Sequence, residues 1–75
     1  MQKIESVATL GTLIKTCRKK QGLTQVQLAA VSGVGLRFLR ELEGGKVSCQ
    51  LGKTLAVLKM LGVSITAINR NEKIV

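Results

Sequence analysis

The sequence predicts an all-α domain, a bundle of short helices, and three observations carry that expectation. Apolar residues recur at three- and four-residue spacing through most of the chain, glycines stand where those stripes stop, and proline is absent. Seventy-five residues make one domain at most, expected over 1–75, and a chain of this size buries only about 60% of its unfolded surface. A single aromatic, Phe38, leaves the core aliphatic, and a hydrophobic content of 45% argues against disorder.

The first helix is expected over about 8–21, because Val7, Leu10, Leu13, Ile14 and Cys17 fall on one face while Lys15, Lys19 and Lys20 lie largely off it. Ser6 or Thr9 is placed to cap its start and Gly22 to end it. Arg18-Lys19-Lys20 occupies the last turn, where the helix dipole favours cations. Thr24-Gln25-Val26-Gln27 reads as a capping box, and Leu28, Ala29 and Val31 carry a second helix to just before Gly33. A third helix spans about 35–43, with Leu39 and Leu42 inward and Arg37, Arg40 and Glu41 outward, and Gly44-Gly45 ends it. Ser48 is expected to cap a fourth, about 49–61, with the stripe Leu51, Leu55, Leu58 and Leu61 and a stop at Gly62. The tail from Val63 to Asn69 is rich in β-branched residues, and Val63, Ile65 and Ala67 alternate with Ser64 and Thr66. A lone strand has nothing in its own chain to pair with. The preferred reading is therefore a short C-terminal dimerisation strand, in the segment 63–75, with Val63, Ile65, Ala67 and Ile68 facing a second copy. The alternative is a short fifth helix ending at Asn69.

Composition excludes much. No His, Asp or Tyr is present, so imidazole catalysis and His-ligated metal sites are ruled out. Cys17 and Cys49 form no C-x-x-C and are expected to be free, core-filling thiols. No cofactor is expected, and no enzyme: a nucleophile–base pair is absent, and Gly33-Val34-Gly35 lacks the preceding strand a nucleotide motif needs. Met1-Gln2-Lys3-Ile4-Glu5 is polar, no apolar signal core follows, and no apolar run approaches the ~20 residues of a membrane span, so a cytoplasmic protein is expected. Twelve Lys and Arg against four Glu leave a net charge of +8, which points to a polyanionic partner. Nucleic acid ranks ahead of a membrane surface, because the basic residues are spread over several helices with buried stripes.

Two short helices joined by a tight glycine turn form the unit at about 24–43. Ala29 is small where the helices cross, Gly33 supplies the turn, and Leu28, Val34, Leu39 and Leu42 are expected to fill the wedge between them. Such a helix-turn-helix presents its second helix to the DNA major groove. Leu23-Thr24-Gln25, Leu28-Ala29, Gly33-Val34 and Leu42-Glu43-x-Gly45-Lys46 resemble the Cro/C1-type (XRE family) helix-turn-helix of phage and bacterial repressors. The stretch from Gly33 to Glu43, followed by Gln50-Leu51-Gly52-Lys53 and Leu61-Gly62, is similar to HipB-like antitoxins encoded beside HipA-type kinase toxins.

The resemblance covers about residues 10–63. It implies a lambda-repressor-like bundle of five elements, a homodimer, a palindromic double-stranded DNA operator in the protein's own promoter, and a HipA-like kinase as partner. By the same resemblance Gln25 holds a backbone phosphate, Gly35, Leu36, Arg37, Arg40 and Glu41 form the recognition surface, and Lys46 meets phosphate after it. Arg18 and Glu43 stand where the family has a buried structural ion pair. Phage repressors usually carry Gln, Asn or Ser on the recognition surface, whereas this chain offers Gly35-Leu36-Arg37-Phe38. Arg37 is the best base reader, since a guanidinium can fork onto guanine, Leu36 suits a thymine methyl, and Arg40 suits a base or a phosphate. Glu41 is expected to orient an arginine or face solvent, and Phe38 to pack. So few direct readers leave a share of selectivity to DNA shape. The competing function is a protein-interaction module that neutralises a toxin, with DNA binding incidental.

Overall fold

A computed structural model describes residues 3–47 and 50–67. Four helices follow one another: α1 (Val7–Lys20), α2 (Gln25–Ser32), α3 (Leu36–Glu43) and α4 (Leu51–Met60), with no strand among the described residues. Ser6 rather than Thr9 is the α1 cap, its side chain accepting the Thr9 amide. At α2 the Thr24 hydroxyl accepts from the Gln27 amide while Gln27 Oε1 accepts from the Thr24 amide at 2.8 Å, so both halves of the capping box are made.

All four helices close in the same way, with left-handed glycines at 22, 33, 45 and 62. In each case the glycine amide and the one after it fold back onto carbonyls of the last turn, as with Gly45 onto Leu42 and Lys46 onto Glu41. Neither helix nor strand continues through residues 63–67, so the short fifth helix does not form there. A strand needs a neighbour, and none is present among the described residues. Ser48, Cys49 and Ile68 lie outside the described residues.

The core is Ile14, Leu28, Ala29, Leu39, Leu42, Val57, Leu58 and Leu61, with Val7, Leu10, Cys17, Leu23, Val34, Phe38 and Val63 packed around it. Helix α3 packs on α1 and α2, and α4 packs on α2. The expected stripe of the fourth helix is corrected. Its helix starts at Leu51 with Gln50 as N-cap, and its buried residues are Thr54, Val57, Leu58 and the following Leu61. Leu51 and Leu55 stay exposed. An i, i+4 step overshoots a full turn by roughly 40°. The leucines therefore drift off the seam, and Thr54 enters it because its hydroxyl donates to the Gln50 carbonyl at 3.2 Å.

Gly11 sets how closely α1 and α3 approach. A Cβ there would stand 2.3 Å from the Leu42 carbonyl oxygen and 2.7 Å from that of Glu43. Gly45 meets the same helix at Ala8, whose Cα would lie 2.9 Å from an added Cβ, and its φ of +81° disfavours any side chain. The C-terminal end of α3 thus rests on an Ala8/Gly11 seat. Gly11→Ala would gain ~1 kcal/mol of helix propensity. Overpacking costs about 1–3 kcal/mol, and here the obstacle is backbone that cannot rotate away, so the clash prevails. The expected result in thermal denaturation is a lowered midpoint, by roughly 4–8 °C per kcal/mol lost.

Candidate nucleic-acid interface

The turn between α2 and α3 holds the second helix at a set angle to the first, and one buried ion pair fastens its far end. Arg18 Nε donates to Glu43 Oε2 at 2.8 Å and its Nη2 to Oε1 at 3.1 Å, a fork-to-fork arrangement. The third guanidinium nitrogen, Nη1, donates to the Leu23 carbonyl at 2.9 Å. Arg18 is 7% exposed and Glu43 9%. Burial on this scale costs several kcal/mol per ion unless the remaining hydrogen-bonding groups are satisfied, and here they largely are.

Gln25, at the start of α2, joins this pair. Its Nε2 donates to Glu43 Oε1 at 3.1 Å. An amide nitrogen carries two hydrogens, so this bond orients the side chain while a second N–H remains to be shared. The Gln25 amide, the end of α1 and the end of α3 therefore meet at one carboxylate.

On α3, Leu39, Leu42 and Glu43 turn inward. Leu36, Arg40, Arg37 and Glu41 occupy an outer arc of roughly 140°, given about 100° per residue. Gly35 is the N-cap and makes no side-chain cap bond, so the first amides of α3 carry their partial positive charge outward. Gly35 faces open space where a side chain would stand. The Arg37 side chain is 90% exposed, and Arg40 is exposed beside it. Leu36 is half-buried, at the edge where the arc meets the core.

Glu41 lies between two cations. One carboxylate oxygen is 3.4 Å from Arg37 Nε and the other accepts from Lys46 Nζ. The Lys46 hydrogen bond, reinforced by the charges of Lys46 and Arg37, holds the Glu41 carboxyl below its ordinary value against a smaller opposing effect of desolvation. Phe38 packs against the core, and Lys53 of α4 places its ammonium 5.6 Å from the ring centroid. Lys53 is thereby a neighbour of α3, a relationship that the fourteen residues between it and Phe38 hide from any local pattern. Among the described residues no three His, Cys, Asp or Glu groups gather to hold a metal, and no helix is long and apolar enough to cross a membrane.

A family model described as a helix-turn-helix domain matches residues 9–70. The "Uncharacterized HTH-type transcriptional regulator y4mF" of Sinorhizobium fredii (strain NBRC 101917 / NGR234) is 46% identical over 72 residues, which is 96% of this chain and 95% of that protein. A chain of the solved HipA-HipB-O2-O3 complex superposes with a TM-score of 0.84 at 27% identity, covering 95% of this chain and all of that one. A HipB-O4 20mer complex supplies a second match, with a TM-score of 0.83, again at 27% identity and over 95% of this chain and 100% of that one.

Breaking the ion pair from one side leaves a buried charge unmatched. Arg18→Met should cost about 3–5 kcal/mol, a large part of the ~4–11 kcal/mol expected for a domain of this size, whereas the double change with Glu43→Leu should recover much of it. Urea denaturation of the single and double variants checks this.

The linkage sign for Glu41 follows from its lowered folded value. The contribution of its ion pairs is present at neutral pH and is lost as pH falls through that value. A carboxyl-carbon NMR titration should place the Glu41 midpoint below the usual glutamate range. Lys46→Met should move it upward.

Proposed function

The chain belongs to the helix-turn-helix domain family, matched over residues 9–70, and from that premise we propose that it is a homodimeric, sequence-specific DNA-binding transcriptional repressor that acts as the HipB-like antitoxin of a HipA-type kinase toxin and autorepresses its operon. The observation that carries DNA recognition is the outer arc of α3. Arg37, Arg40 and Leu36 are presented beside an uncapped helix start, on a helix whose other end is fastened by Arg18 and Glu43. Gln25 and Lys46 flank that arc as phosphate contacts, with Gly35 giving the duplex backbone close access. Glu41 orients Arg37. The name of the rhizobial relative supports a regulator, and the likeness to chains of HipA-HipB and HipB-O4 complexes supports the toxin partnership and the assignment as an antitoxin.

For dimerisation the reading uses apolar residues outside α3. Leu51 is 65% and Ile65 63% exposed, and Ile65 borders with Leu55 a groove between α4 and residues 62–65. A second copy pairing through Val63, Ile65, Ala67 and Ile68 would cover this apolar surface and supply the missing strand partner. The twofold pair would then set two recognition helices into successive major grooves about 34 Å apart.

Fluorescence titration of a duplex from the protein's own promoter tests this reading. With about four phosphate contacts per subunit, log K should fall against log salt with a slope of about −7. Arg37→Ala should relax sequence preference by ~1–3 kcal/mol, while Gln25→Ala should weaken all duplexes alike. A slope near zero would refute electrostatic binding, and equal losses on promoter and random DNA would remove Arg37 from base reading.

A further inference from the structure

The recognition arc of a chain with net charge +8 carries one carboxylate, at its edge, and that carboxylate is occupied by the cations a duplex would need. Among the described residues the other carboxylates lie elsewhere: Glu43 is buried with Arg18, and Glu5 pairs with Lys3 ahead of α1. Glu41 holds Lys46 with one oxygen and Arg37 with the other. The Lys46 contact is built into the helix end. The closing turn at Gly45 bonds the Lys46 amide to the Glu41 carbonyl at 3.0 Å, which brings the two side chains out together one turn apart. Arg37 stands four residues before Glu41, so it meets the same carboxylate from the preceding turn.

We propose that Glu41 is a specificity-determining residue that suppresses sequence-independent DNA binding by standing where a phosphate oxygen would stand between Arg37 and Lys46. This inference rests on the DNA-binding reading above. A carboxylate and a phosphate oxygen offer a lysine or arginine the same kind of charge-assisted bond. A duplex held only through its backbone turns both Lys46 and Arg37 to phosphates, which strips Glu41 of both cations and leaves its carboxylate facing like charge. A sequence without base-edge acceptors for Arg37 meets that penalty in full. A duplex that draws the Arg37 guanidinium onto base edges meets less of it, because Glu41 then keeps Lys46 as its partner while Arg37 gains directional bonds that a bare backbone does not offer. The result is discrimination by a repulsive element, added to the attractive contacts of the arginines. The ion pairs are formed with Arg37 90% and Lys46 55% exposed, so water already screens them and exchange with a duplex is accessible.

The test uses the full chain and Glu41→Gln, with Glu41→Ala as a second variant should the first fail to fold, circular dichroism melts establishing which one is native. The probes are a duplex selected from a random pool by the wild-type protein and a scrambled duplex of the same composition. Each is titrated from low to physiological salt. Binding of the variant to the scrambled duplex should tighten roughly tenfold and to the selected duplex by no more than about threefold, so that the specificity ratio falls. The scrambled-duplex salt slope should steepen by about two per dimer, one further phosphate contact from each subunit. An unchanged ratio and slope, or equal losses on both duplexes, would overturn the role of Glu41 while leaving DNA binding intact. Failure of the wild-type chain to retain any duplex would overturn the DNA-binding reading and this inference with it.

Discussion

The buried contact between Arg18 and Glu43 is the constraint on which the remaining geometry depends. It joins the last turn of α1 to the last residue of α3, and through Leu23 and Gln25 it also reaches the linker and the start of α2. An aliphatic core alone permits helices to slide against one another, because apolar contacts have little direction. A forked, three-nitrogen hydrogen-bond set does not. The seat at Ala8 and Gly11 complements it by allowing the α3 backbone to come close enough for Glu43 to reach. Polar direction and small-residue clearance together set where α3 points.

The same arrangement divides the charge of the molecule by role. Arg18 is consumed internally, and its carboxylate partner also orients Gln25. On the exposed arc, Arg37 and Lys46 are held by Glu41, whereas Arg40 makes no ion pair among the described residues. A net positive charge gives attraction to any polyanion. Which anion is retained depends on directional contacts, and these are concentrated on one face of an eight-residue helix. Leu51, Leu55 and Ile65, by contrast, are exposed apolar residues outside α3.

Much of this was legible in the chain itself. Local signals placed the helices to within a few residues, because caps and glycine stops act on neighbouring backbone: Thr24 with Gln27, and Gly22, Gly33, Gly45 and Gly62 at the ends. The outward set Arg37 and Arg40 followed from helical phase. The fourth helix was less legible. Leu51 and Leu55 match the spacing of an inward stripe as well as Leu58 and Leu61 do, and only the position of α2 selects Thr54 and Val57 instead. The tail stayed open for a related reason, since β-branched residues favour a strand that has no partner among the described residues.

By itself, the sequence determined the helical class, the turn between α2 and α3, the cationic outer arc and the exclusion of imidazole chemistry. These depend on residue type and short-range spacing, which folding does not alter. Tertiary structure decided the rest: Gly11 as the clearance for α3, the reach of Gln25 to Glu43, the stacking of Lys53 on Phe38, and the true inner face of α4. Each of these joins groups far apart in the chain, and such distances are set by how helices pack, a quantity that no local pattern encodes.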